Sequence, residues 1–340
     1  MRNFFYEKLY IADAHADTAT AAAGCFRENP AVHLDFVRAE RVLNLQVFAF
    51  WERPGGKPWL EWQRFCRQQA VFTEALLEEK RMKLLRRREQ LADTARTWAV
   101  LALEGADGLA WLPEKEYFLR ELARMHVHIL GLFWNNDNWL GCGADRNDDS
   151  GQDLGLTKAG REFLALAANF PVTLDLAHSS RRSFWNICRE YPRPFLVSHS
   201  CCAGLYPHRR NLDDAQLRYL GEHGGYVGIA LYPYFLNGRQ RATFEDVAAQ
   251  IRYACNLAGT EAVGLGTDFD GIEVLPEGIA GCQDLPRLAD FLHRRKMPYS
   301  VLEKIMGGNL RRFLWENIPS DKEENERKSP IKKIGTGKLL

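Results

Sequence analysis

No long apolar run interrupts the sequence: nowhere in its 340 residues is there a stretch approaching the roughly 18 apolar residues a membrane-crossing helix needs. The segment from Met1 to Tyr10 has neither an apolar leader core nor a small-residue cleavage site, so no secretory signal is expected. An excess of one charge is missing too. With 45 basic and 44 acidic residues the formal charge is +1, which leaves no basic face for nucleic acid or a membrane surface. The eight cysteines, at 25, 66, 142, 188, 201, 202, 255 and 282, form no CxxC pair and no framework spacing. They read as reduced, packing thiols of a cytoplasmic protein. Cys201 and Cys202 follow His199 closely enough to offer a soft metal ligand, but histidines and carboxylates already supply a full set. Internal repeats and domain-separating linkers are also absent.

What remains is a chain that is 46% hydrophobic, enough for one large core. Short β-branched and aliphatic runs recur at residues 10–14, 45–50, 98–103, 127–132, 172–176, 195–198, 227–231 and 263–266. Most are continuously apolar, as parallel strands covered on both faces should be. Amphipathic segments lie between them, at 59–88, 114–125, 158–169, 213–223 and 244–258, and Thr157, Ser180 and Thr243 stand where helix N-caps belong. Eight alternations of strand and helix predict a single-domain (β/α)8 barrel over residues 1–317. An open doubly wound sheet would want a glycine-rich phosphate loop after its first strand, and Ala-His-Ala-Asp-Thr stands there instead. From residue 318 to 340 the composition turns charged and predicts a mobile tail.

Barrel enzymes carry their chemistry at the C-terminal ends of the strands. Polar residues recur there: Asp13-Ala14-His15-Ala16-Asp17, Glu104-Gly105, Asp175-Leu176-Ala177-His178, Ser198-His199-Ser200 and Thr267-Asp268-Phe269-Asp270. His15 and Asp17 are two apart, so in extended chain they face one way and can share an ion. His178 and His199 add imidazoles from neighbouring strands, and Glu104 is a carboxylate able to bridge two cations. Nitrogen and carboxylate donors of this kind suit zinc, and a pair of zinc ions activates water near neutral pH. Any one of these histidines alone is more simply a hydrogen-bonded structural residue. Five such residues at one end of one barrel predict a metal centre. His33, His126, His128, His208, His223 and His293 fall elsewhere and read as surface or core residues.

In this order the motifs resemble those of the membrane (renal-type) dipeptidase family. Asp-Ala-His-Ala-Asp-Thr at 13–18, Leu-Glu-Gly at 103–105, Leu-Asp-Leu-Ala-His-Ser-Ser at 174–180, Ser-His-Ser at 198–200, Arg-Arg-Asn-Leu-Asp-Asp at 209–214, Gly-Thr-Asp-Phe-Asp-Gly at 266–271 and Gly-Gly-Asn-Leu-Arg at 307–311 carry the likeness. The resemblance implies a two-zinc dipeptidase, a homodimer, acting on small dipeptides, those with a C-terminal D-residue included. It implies His15 and Asp17 on one ion, His178 and His199 on the other, and Glu104 between. Asp268 would handle the proton, and Arg210 would pair with the substrate carboxylate rather than with Asp213 or Asp214. Two positions depart from the pattern. Phe133-Trp134-Asn135 replaces a Thr-His pair, which makes Trp134 a substrate-side residue that narrows the pocket towards small side chains, and Phe235 stands for a substrate-side tyrosine. No apolar anchor segment ends the sequence, unlike in lipid-anchored relatives. A cyclic-amide or lactone hydrolase on the same metals, and a non-catalytic metal-binding protein, are the alternatives.

Overall fold

The computed structural model describes residues 9–51, 56–110, 114–148 and 151–320. Nine strands occur in it: β1 Ala12–Ala16, β2 Leu45–Trp51, β3 Met82–Leu84, β4 Thr97–Glu104, β5 Val127–Gly131, β6 Thr173–Asp175, β7 Leu196–Ser200, β8 Tyr226–Ile229 and β9 Val263–Leu265. All pair in parallel, in the order β1-β2-β4-β5-β6-β7-β8-β9. The ring nearly closes where the chain leaving β9 meets β1: Asp17 N–H donates to Phe269 O at 2.8 Å and Asp268 N–H to His15 O at 3.2 Å. The Asp13 carboxylate fastens the same seam, taking the Thr267 N–H at 2.7 Å and the Thr267 hydroxyl at 2.8 Å. The predicted (β/α)8 barrel is the observed fold.

Apolar runs alternate between two cores, which is why they read as continuous. Along β2, Leu45, Val47 and Ala49 fill the barrel interior, while Phe48 and Phe50 pack outward beneath the helices. The N-terminal end of the barrel is plugged by helix Asn309–Asn317, whose Leu310, Phe313 and Leu314 join the interior. Gly307 lets that helix approach, because a Cβ there would lie 2.6 Å from Tyr10 O. Ile318 and Ser320 are buried behind the plug, so the packed chain runs past Asn317. The predicted tail from 321 onward lies outside the described residues.

The segment expected as one amphipathic run from 59 to 88 is divided. Helix Pro58–Glu78 ends at Glu79, and β3 then takes the edge of β4 at Met82↔Thr97 to Leu84↔Ala99. β5 uses that edge only from Leu101 onward. A three-residue strand is too short for its alternation to stand out from helical spacing. Among the described residues no helix is long and apolar enough to cross a membrane.

Candidate metal centre and substrate chamber

Parallel pairing delivers the predicted ligands to one end. His15 lies in β1 with Asp17 just beyond it, Glu104 ends β4, His178 follows β6 by three residues, and His199 lies in β7. β6 and β7 share one register pair, Asp175↔Leu196, and the Asp175 carboxylate completes the seam by accepting Ser198 N–H at 2.9 Å and Ala177 N–H at 3.1 Å. Its other oxygen takes the Ser198 hydroxyl.

Hydrogen bonds behind the histidines orient them. His178 Nδ1 is 2.9 Å from the Asn135 side-chain oxygen, and His199 Nδ1 is 2.9 Å from Ser198 Oγ. With those oxygens accepting, both Nδ1 atoms carry the proton and both Nε2 lone pairs face inward. The two Nε2 atoms stand 2.9 Å apart, and His178 Nε2 is 2.7 Å from Glu104 Oε1. Lone pairs so close need a positive group among them, a place that the Arg210 guanidinium takes here and that a metal ion could take. Burial, with Arg210 and His15 adding to it, holds both imidazoles well below the usual histidine range, so they are neutral donors.

On the other side of Glu104, His15 Nε2 lies 3.6 Å from Asp17 Oδ2, 3.7 Å from Glu104 Oε2 and 4.0 Å from Asp268 Oδ1. It is buried without a hydrogen-bond partner among the described residues. These separations are too long for hydrogen bonds. They suit donors around one ion, since two bonds of about 2.0–2.1 Å at a tetrahedral angle set donor atoms about 3.3 Å apart. Three overlapping groups could hold a metal: His15, Asp17 and Glu104; Glu104, His178 and His199; His15, His199 and Asp268. No cysteine belongs to them. Cys201 and Cys202 are buried with their thiols turned to Ala230 O and Gln250 O.

Arg210 is 4% exposed and makes no surface ion pair among the described residues. Asp213 meets Arg181, and Asp214 accepts from the Tyr253 hydroxyl. The guanidinium instead sits on the imidazoles, with Nη2 donating to His199 Nε2 at 2.7 Å and to His178 Nε2 at 3.0 Å, and Nη1 is buried without a partner among the described residues. Above the cluster opens a chamber of about 330 Å³. Five carboxylates line it (Asp17, Glu104, Asp268, Asp270 and Glu273) against the single guanidinium of Arg210. Fully ionised, that is a formal charge of −4, which two divalent cations would balance. Burial, opposed by His15 and reinforced by Asp17, pushes Asp268 up to about 7.

Trp134 lines the chamber, its ring 5.2 Å from Trp51 and 6.0 Å from His178. Trp51, which the sequence reading missed, faces the same space, and its indole N–H is buried without a partner among the described residues. Phe235 packs against the Arg210 guanidinium, but it has no hydroxyl to offer. Tyr232, three residues earlier, also lines the chamber and is the nearer match for a substrate-side tyrosine. His33 and His208, set aside as surface or core residues, border the site: His33 contacts Asp270, and His208 Nδ1 accepts the Arg210 N–H at 3.1 Å.

The model of the membrane dipeptidase family, peptidase family M19, matches residues 2–329. The chain belongs to that family. A dipeptidase of Aspergillus oryzae, aclJ, is 37% identical over 165 residues, 47% of this chain and 38% of its own length. The chain spans about half the length of the curated dipeptidases it matches. Among solved structures, that of "dipeptidase AC", an M19 metallopeptidase, superposes with a TM-score of 0.81 at 22% identity, covering 92% of this chain and 99% of that one. A metallopeptidase from Rhodobacter sphaeroides, liganded with a phosphinate mimic of the dipeptide L-Ala-D-Ala, gives 0.78 at 21% identity over 91% and 99%. These two likenesses bear on the fold.

Proposed function

We propose that this M19 member is a dipeptidase working with two zinc-class ions, one held by His15 and Asp17, the other by His178 and His199, with Glu104 between them. The observation that carries this reading is the convergence of three buried Nε2 atoms, from His15, His178 and His199, on the two oxygens of Glu104, in groupings that could each hold a metal ion. Bound divalent ions supply Lewis acidity and a water acidic enough to react near neutral pH.

The chain's own groups do the rest. Asp268 reaches over His15 and, held near neutrality by burial, can take a proton at its carboxylate and return it to the leaving amine. Arg210 presents Nη1, and Nη2 once it leaves the imidazoles, to the substrate's terminal carboxylate as a planar two-point contact. Trp51 and Trp134 wall the chamber against water and limit the side chain it accepts, favouring small dipeptides. A C-terminal D-residue is included in the proposal, and the ligand of the Rhodobacter sphaeroides neighbour supports it.

Elemental analysis and a dipeptide panel test the reading together. About two ions per chain and turnover of small dipeptides are expected, with Arg210→Lys raising KM for free dipeptides and sparing C-terminally amidated ones. Metal-loaded enzyme that leaves every dipeptide intact and opens lactones or cyclic amides would overturn the substrate assignment. One ion per chain after reconstitution would overturn the paired centre.

A further inference from the structure

Asp270 is a second aspartate in the turn that carries Asp268, and the proton-carrying role above makes no use of it. Its side chain is 3% exposed. One oxygen, Oδ2, accepts the Thr18 hydroxyl, and the other, Oδ1, accepts the His33 N–H, each at 2.5 Å. The Asp270 N–H in turn donates to His33 Nδ1 at 3.0 Å. One residue thus joins three segments: the exit of β1 immediately after Asp17, the loop before helix Phe36–Val42, and the turn after β9.

That turn is in an unfavourable conformation. Asp268 and Asp270 both have positive φ, 63° and 67°, in the left-handed region where residues other than glycine persist only when their surroundings over-determine them. The turn also runs against the reactive groups. A Cβ on Gly271 would lie 2.1 Å from Asp17 Oδ2 and 2.4 Å from Asp268 Oδ1, so only glycine fits there. The anchor on the far side is stiff. Arg38 donates to Asn29 O and Val32 O, Asp35 accepts the Arg38 N–H, and His33 O accepts the Cys282 N–H.

We infer that Asp270 is a positioning residue that holds the Asp268 carboxylate at its working distance from the His15–Asp17 side of the centre. Thr18 is covalently next to Asp17, and Asp268 precedes Asp270 by two residues. The Asp270 carboxylate therefore fixes the spacing between the element that carries Asp17 and the turn whose Asp268 would take the proton of the attacking water and pass it to the leaving amine. Small displacements of a proton-transferring group cost rate steeply while leaving binding groups untouched.

The inference rests on the role proposed for Asp268, and a double-mutant cycle in metal-loaded enzyme separates the two. Asp270→Ala is expected to lower kcat by about 10- to 100-fold with metal content unchanged and KM altered by no more than about threefold. In an Asp268→Asn background the same change should add nothing, because the group it positions is already disabled. Asp270→Asn, which can still accept from His33 and exchange a hydrogen bond with Thr18, should recover most of the rate. Thr18→Val is the milder variant if Asp270→Ala does not fold, and it should show a smaller kcat loss that is likewise silent beside Asp268→Asn. Multiplying losses, departure of metal, or an Asp270→Asn enzyme as slow as Asp270→Ala would overturn the inference. So would wild-type kcat in Asp270→Ala beside a disabled Asp268→Asn. Wild-type kcat in Asp268→Asn would remove the proton-carrier role itself, and the inference with it.

Discussion

At His15 two opposing influences meet. Burial pulls its pKa down, but Glu104, then Asp17 and Asp268, outweigh it and push the imidazole up to about 10. A protonated ring cannot ligate, so filling this side of the centre must expel the proton. The sign follows: below about 10 the ion-free protein holds a proton that an incoming ion has to displace, and affinity weakens as pH falls. Titrating zinc into chelator-treated protein at pH 8, in two buffers of different ionisation enthalpy, should show release of about one proton or more per chain. Release of none would mean that His15 is already neutral or stays outside the coordination sphere. The residues of this centre were legible because a His-x-Asp pair, a Glu-Gly and two strand-end histidines are informative by position alone. Trp51 and Tyr232 were not. Trp51 stands beside Glu104 through the β2–β4 register, and no single strand reveals its register with another. Tyr232 and Phe235 cannot be told apart by position in the sequence, because the chain turns into the short helix Pro233–Leu236 immediately after Tyr232 and brings both rings into the chamber.

Helix starts were among the best-read elements. Thr157 and Ser180 accept the N–H groups of Gly160 and Ser183 as caps should. At Thr243 the direction is reversed, with Asp246 Oδ2 accepting the threonine N–H at 2.7 Å and its hydroxyl at 2.8 Å. Helix Asp214–Glu222 begins with a reciprocal box: Asp213 accepts Gln216 N–H at 2.8 Å, and Gln216 accepts Asp213 N–H at 3.0 Å. Removing such a cap costs about 1 kcal/mol. Asp213→Ala should therefore lower the urea midpoint by that equivalent and leave kcat/KM near wild type, since Arg210 does not lean on Asp213. A large activity loss at unchanged stability would instead connect the cap to the Arg210 loop. β3 was lost to the sequence reading for the opposite reason. A cap has a local chemical signature, whereas a three-residue edge strand is defined by its partner, β4, and by nothing in Met82-Lys83-Leu84 itself.

Across the whole barrel the stitching is uneven. β2 and β4 share seven register pairs from Leu45↔Trp98 to Trp51↔Glu104, whereas β6 and β7 share one and rely on Asp175 to hold the Ser198 and Ala177 amides. Amide hydrogen exchange should report this directly. The Ser198 and Ala177 amides are expected to exchange faster than those of Val47 and Leu101, and Asp175→Ala should quicken them further while the β2–β4 amides stay slow. Uniform protection around the ring would refute the unevenness. The thin seam is also the one that carries His178 and His199 on its two sides. A breathing motion there would part the imidazoles while the β2–β4 ladder stayed paired, so the half-life of a bound ion against a chelator would follow the opening rate of this seam rather than the global stability of the fold.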